Sequence, residues 1–192
     1  MDPSIKAQDI THAGRGALIG AMFGSGWLGW GLGSANAFNS FVGPLFGFTS
    51  LFLLAGSIYF VRKGRLLRKR SPATSLSAPQ IAWNRFLLVV LIEVTAIALA
   101  TTIAYRLHRA DLAANWCATI VGLHFLPLAR IFRAPRLTIL GVLITAWCIL
   151  CWALFRANAL VISTSVGTGS LLWARCILSL LRARKIERTL ST

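Results

Sequence analysis

Acidic residues are nearly missing from this chain. Only five of its 192 residues are Asp or Glu, and charged residues of both signs make up just 13%. Ordinary soluble domains carry roughly 25% charged residues, so that class is excluded. Hydrolytic motifs are missing too. There is no GxSxG elbow, no HExxH pair and no Walker loop, and Glu93 has no second carboxylate inside an apolar run with which to form an acid/base pair. These absences argue against an enzyme, and nothing in the sequence calls for a cofactor.

What is present is apolar: 56% of the residues are hydrophobic. Six segments approach the roughly 20 residues needed to cross a hydrocarbon core of about 30 Å. They lie at residues 16–37, 41–61, 86–105, 112–132, 137–155 and 157–181. The expected fold is all-α: a polytopic membrane protein, one six-helix transmembrane domain over residues 1–192. Most connections are short, and only residues 62–85 form a longer, basic loop, so no soluble domain fits. GSANA ahead of Phe38 has the small-x-small spacing of a signal-peptidase site. The apolar run before it is long and glycine-rich, however, and Asp2 and Asp9 dilute the basic start, so the segment reads as a span.

A formal charge of +15 raises the question of nucleic acid, but the basic residues sit between apolar segments. Sixteen of the 20 Lys and Arg fall on one side of the spans, three on the other, and Arg175 lies within a span. That bias puts both termini in the cytoplasm. Tyr59 and Trp83 then fall at the inner aromatic belt, and Tyr105, Trp116 and Trp152 at the outer. The run RKGRLLRKR, residues 62–70, serves as a topology signal and can hold anionic lipid headgroups; no nucleic-acid partner is expected.

The stretch ATIVGLHFLPLARIF, residues 118–132, places a histidine, a proline and an arginine in an apolar run. His124 would lie roughly 12 Å from the cytoplasmic end of its helix, at nearly the depth of Glu93 and Arg175. An isolated charge in hydrocarbon costs at least ~2.5 kcal/mol, so such groups pair or face water. The expectation is an ion pair between Glu93 and Arg175 with His124 beside it. This layer either lines a solute or proton pathway or is a structural clamp, and in the second case Arg175 can instead snorkel to the headgroups. Pro127 lacks an amide donor and would free the carbonyl of Leu123.

Helix 1 repeats glycine at 16, 20 and 24, then at 29 and 33, a small-residue stripe suited to close packing by a helix or a second subunit, so a homo-oligomer is expected. Ser25 and Thr145 reach the depth of the polar layer and can add hydroxyls. Trp27, Trp147 and Trp173 lie near mid-membrane, where they cap a cavity or pack the core. In AWCILCW, Cys148 and Cys151 share a helical face, with Cys117 at a comparable depth. Three such thiols suit disulfide exchange with a quinone or soft-metal binding, or simply core packing. Cys176 lies on the other side, and His12 and His108 sit in polar flanks.

The run GLHFLPLARIF, with the six-span layout, resembles a family of small, functionally uncharacterised bacterial integral membrane proteins. The resemblance implies the six-span fold and carries no binding or catalytic residues with it. Helices 1 to 3 and 4 to 6 share no motif, so an inverted repeat is not indicated. The functional expectation is a transporter or channel for a small polar or weakly anionic solute, using Glu93, His124 and Arg175. A noncatalytic membrane subunit or scaffold, and a membrane thiol-disulfide protein or soft-metal carrier, are the rival readings.

Overall fold

The computed structural model describes the backbone at residues 3–70 and 80–191, and the side chains at 9–67 and 84–189. The chain is all-helical: α1 is Pro3–Ser34, α2 Val42–Arg70, α3 Gln80–Arg106, α4 Asp111–Ile131, α5 Pro135–Leu154 and α6 Ala157–Ser191. Within α2 to α6, five segments are long and apolar enough to cross a membrane: Val42–Leu67, Asn84–Arg106, Asp111–Ile131, Pro135–Leu154 and Ala157–Thr189. In α1 the glycines and tryptophans that make it smooth also add little hydropathy.

Four helices run well past the apolar spans read from the sequence. Residues 3–15 and 182–191 are helical, and the basic segment expected as a loop over 62–85 is helix at 62–70 and again at 80–85. Lys and Arg are good helix formers, so a charged face does not stop a helix that has neighbours to pack on. Residues 71–79 lie outside the described residues, and the inner-belt assignment of Trp83 lies outside the described side chains.

The ends of the helices have local causes. Asn36 takes up a left-handed conformation, φ 49°, after α1, and the Ala37 amide bonds the Leu32 carbonyl. The Asn39 side-chain oxygen then accepts from the amides of Phe41 and Val42 at 3.0 and 2.8 Å, capping α2. His108, φ 54°, closes α3, which makes it a turn residue rather than a ligand. Arg109 grips Asp111 in the first turn of α4 with two bonds of 3.0 Å, and that acceptor raises the arginine's affinity for its proton. Pro135 opens α5, where no amide donor is needed.

The chain divides into two compact units. The first comprises residues 1–26, 38–76 and 172–192, bringing together parts of α1, α2 and α6. Ala17, Ala21, Leu53 and Cys176 form one buried cluster, with Leu54, Trp173 and Leu180 against it. Ile10, Phe60 and Ala183 form another, supported by Ala13, Leu67 and Ile186. The four-residue glycine stripe packs only in part: Gly20 and Gly24 are buried, and a Cβ on Gly20 would stand 3.0 Å from the Leu172 carbonyl oxygen, but Gly16 faces outward, and the packed face is wider than the stripe. That face follows Ile10, Gly14, Ala17, Ala21 and Gly24, all buried at alternating spacings of four and three, which keeps one seam facing its partners along a supercoil. Gly16 is exposed with nothing near it, whereas a methyl group on Gly14 would stand 2.8 Å from the Val61 amide nitrogen.

A substitution pair separates the two patterns. Gly14→Ala should lower the unfolding midpoint in detergent, by about 1–3 kcal/mol of stability, while Gly16→Ala leaves it unchanged or slightly raised. The reverse order would restore the four-residue stripe.

The second unit comprises residues 27–37 and 77–171. In it α4 packs on both α3 and α5. Its α3–α4 contact is antiparallel and in register, with Phe86 against Phe132 (ring centroids 5.8 Å), Glu93 against His124 and Thr101 against Cys117 (3.8 Å). On the α5 side, Gly122 and Gly141 bring the backbones so close that a Cβ on Gly141 would stand 2.6 Å from the Gly122 carbonyl. Outward-facing Leu87, Leu88, Leu91, Ile92, Val94 and Leu99 of α3 are each about half exposed or more. Such an apolar surface suits hydrocarbon rather than water.

Candidate functional site

Glu93 reaches the α3–α4 contact because α3 turns one narrow face inward: Phe86, Val89, Val90, Glu93, Ala96, Ile97, Ala100, Thr101 and Ala104 are less exposed than their neighbours. The residues that follow Glu93 on this face are mostly small, so α3 lies close to α4 without large side chains to lock it. Glu93 Oε1 stands 3.1 Å from His124 Nδ1, and the two side chains are only 16% and 14% exposed. His124 Nδ1 also lies 2.6 Å from the Val121 carbonyl, and the His124 ring is 4.4 Å from that of Phe125.

These contacts decide the tautomer. A carbonyl oxygen can only accept, so Nδ1 must carry a hydrogen, which it donates to the Val121 carbonyl with the Glu93 carboxylate 3.1 Å away. Nε2 is left as the nitrogen that gains or loses a proton. With Nε2 bare and Glu93 ionised the pair carries one negative charge; a proton on Nε2 makes it neutral.

Arg175 belongs to the other unit, where its guanidinium donates to Ser179 one turn along α6 and the Ser179 hydroxyl returns a 3.0 Å bond to the Arg175 carbonyl. The carboxylate partner seen for Glu93 is the imidazole that sequence reasoning placed beside it. Ser25, expected as a hydroxyl of the polar layer, instead accepts from the Trp173 indole at 3.2 Å, and that ring stacks on Phe46 at 5.9 Å. Trp27 is buried and stacks on Trp30 at 5.5 Å. Trp147 donates to the Ser163 carbonyl at 3.0 Å, and the Thr145 hydroxyl lies against Gly122. Each of these three indoles has a ring or hydrogen-bond neighbour within its own unit.

A second polar layer, one that sequence reasoning missed, lies among α4, α5 and α6 in the second unit. Asn115 Nδ2 donates to the Cys148 carbonyl at 2.9 Å and to Thr164 Oγ1 at 3.1 Å, and the Thr119 hydroxyl donates to the Asn115 carbonyl at 2.8 Å. Thr119 and Thr168 reach the Cys148 thiol, and Thr164 reaches Cys151. Asn115, Thr164, Ser165, Thr168, Cys148 and Cys151 are all buried, and none carries a formal charge as an amide, hydroxyl or thiol. The signal was present in STSVGTGS, residues 163–170, a hydroxyl-rich run inside a span. Asn115 gave no signal, because it stands near a helix end where polar residues are ordinary.

The cysteines divide accordingly. Cys117 faces Thr101 on α3, while Cys148 and Cys151 face the hydroxyl layer, and all four cysteines are free thiols. Among the described residues, no three His, Cys, Asp or Glu side chains are grouped as a metal site.

An all-helical chain with five helices long and apolar enough to span, an apolar exterior and a carboxylate–imidazole pair between two of the spans has the build of a multi-pass membrane protein. No family model matches the chain, and no curated protein or solved structure shows significant similarity to it.

Proposed function

We propose that this chain is a six-span transporter or channel of a bacterial cytoplasmic membrane, with both termini in the cytoplasm, and that it moves a small polar or weakly anionic solute past the Glu93–His124 pair. One observation carries the reading: a carboxylate and an imidazole 3.1 Å apart, mostly withdrawn from the surface, between two apolar helices. Ionisable groups in hydrocarbon are expensive, and they recur where protons or solutes pass. The pair can load and release a proton at Nε2, and a proton there offsets the charge of a weakly anionic solute. Association with further copies and with membrane lipids belongs to the same reading, the exposed Gly16 leaving room on α1 for another helix.

A noncatalytic scaffold is the second reading, favoured by the buried, uncharged hydroxyl and thiol layer, which ties α4, α5 and α6 as interhelical bonds commonly do. Accessibility decides between them. With native cysteines removed and Glu93→Cys installed, inside-out vesicles are treated with a membrane-impermeant methanethiosulfonate. Labelling is the expected result and places position 93 on an aqueous path. Protection, with a loop cysteine labelling normally, makes the pair a sealed clamp and the protein a scaffold.

A further inference from the structure

The strongest unassigned feature is the basic end of the first unit. Beyond Val61, α2 continues as Arg62, Lys63 and Arg65 into Arg68, Lys69 and Arg70; beyond Leu181, α6 continues as Arg182, Arg184, Lys185 and Arg188. These are not two separate tails. Phe60 and Ala183 share a buried cluster with Ile10, Leu67 and Ile186 pack on it, and Lys63 is ion-paired with Glu187. The two basic segments and the start of α1 therefore form one helical prong.

The charge balance on that prong is one-sided. Glu187 is the one carboxylate on α2 and α6 among the described residues, with Asp9 on the start of α1, and Lys63 already occupies Glu187, with the Tyr59 hydroxyl completing the cluster 3.0 Å from the ammonium. Arg62, Arg65, Arg182, Arg184, Lys185 and Arg188 are exposed around it. Nine helical residues extend roughly 13 Å, whereas the headgroup layer on each side of a bilayer is about 5–8 Å deep. The first two turns past the apolar span thus lie at phosphate level, beside the half-exposed Tyr59 of the aromatic belt. Leu66 is 60% exposed among these arginines, an apolar contact that suits the base of a headgroup rather than bulk water.

We infer that this prong is a binding collar for the phosphodiester headgroups of anionic phospholipids, with Arg62 and Arg65 of α2 and Arg182, Arg184, Lys185 and Arg188 of α6 as its cations. A positive-inside signal requires only charge count during insertion. The collar adds geometry: two helices hold their cations together at one level, each engaged cation favouring an anionic lipid by on the order of fivefold. Arginine's planar fork suits phosphate oxygens. This inference stands whether the protein is a transporter or a scaffold.

The test uses the full chain reconstituted in phosphatidylcholine, with trace spin-labelled phosphatidylglycerol or spin-labelled phosphatidylcholine read by electron spin resonance. The expected result is a several-fold preference for the labelled phosphatidylglycerol, weakening at high salt. Replacing the six cations together by Gln should bring the ratio near one, and replacing the five arginines by Lys should keep most of it. Far-UV circular dichroism and elution volume show whether each variant is folded; if the Gln variant is not, Arg62→Gln with Arg65→Gln is read instead, and a partial loss is expected. No preference in the wild-type chain, or a preference that the substitutions leave intact, overturns the inference. So does loss of the preference on adding millimolar inorganic phosphate or an oligonucleotide at constant ionic strength, which would assign the cations to a free phosphate or a nucleic acid.

Discussion

Gly167→Ala should destabilise the protein by roughly 3 kcal/mol, an unusual penalty for one methyl group. The Trp147 indole lies directly on the α-carbon of Gly167, and a Cβ there would overlap the ring. The indole nitrogen donates to the Ser163 carbonyl at 3.0 Å, the same carbonyl that the Gly167 amide reaches in a regular helix. Ring and backbone are thus fitted within one turn of α6, and neither can yield without losing that bond. The methyl group must expel the tryptophan, so its effect should match that of Trp147→Ala, and the two together should cost little more than either alone. Unfolding in mixed micelles, followed by circular dichroism, measures all three. Additive losses would show that the two positions do not touch.

The Glu93–His124 pair should give the second large effect, with the opposite arithmetic. His124→Leu leaves a carboxylate without its imidazole, and Glu93→Leu leaves a half-buried imidazole without its carboxylate, with only the Val121 carbonyl to accept from Nδ1. Each should cost about 1–3 kcal/mol. The double replacement removes both polar groups and should return stability to within about 1 kcal/mol of the wild type, because an apolar pair of similar volume suits hydrocarbon. The same double-mutant cycle separates structure from function. A transporter that uses the pair becomes stable and inactive in the double variant, whereas a scaffold is stable and retains its assembly. Equal, additive losses in the cycle would mean that the 3.1 Å contact contributes nothing.

Much of the helix layout was legible because the bilayer imposes length. A run of about 20 apolar residues has few alternatives, and the spans read over 86–105, 112–132 and 137–155 agree with α3, α4 and α5 within two residues apart from the longer start of α3. Hydropathy could not foresee that α1, α2 and α6 continue into charged sequence, since it measures solubility in lipid and says nothing of a helix held by neighbours. The glycine stripe shows a related limit. Counting glycines at a spacing of four found the packed Gly20 and Gly24 but also selected the exposed Gly16, and it passed over the seam through Gly14, Ala17 and Ala21, because alanine is nearly as small and a supercoil follows sevens.

For the site, Glu93 and His124 could be singled out by composition and depth alone, since an ionisable group in an apolar run needs a reason. Depth is a single coordinate, however. It sets Glu93, His124 and Arg175 at one level without saying which side chains face one another. Within the second unit, the rotation of α3 and α4 about their axes puts Glu93 beside His124. That rotation is set by which small residues meet, Gly122 with Gly141 and the alanines of α3 against α4, and this is decided by shape across helices. The sequence by itself determined that the chain is helical and apolar enough for a membrane, where its charges are distributed, and that a carboxylate and a histidine needed partners. The tertiary structure decided that His124 stands beside Glu93, and built the Asn115 and Thr164 layer from residues that are unremarkable one at a time, because side-chain contacts depend on packing angle and register that no single helix contains.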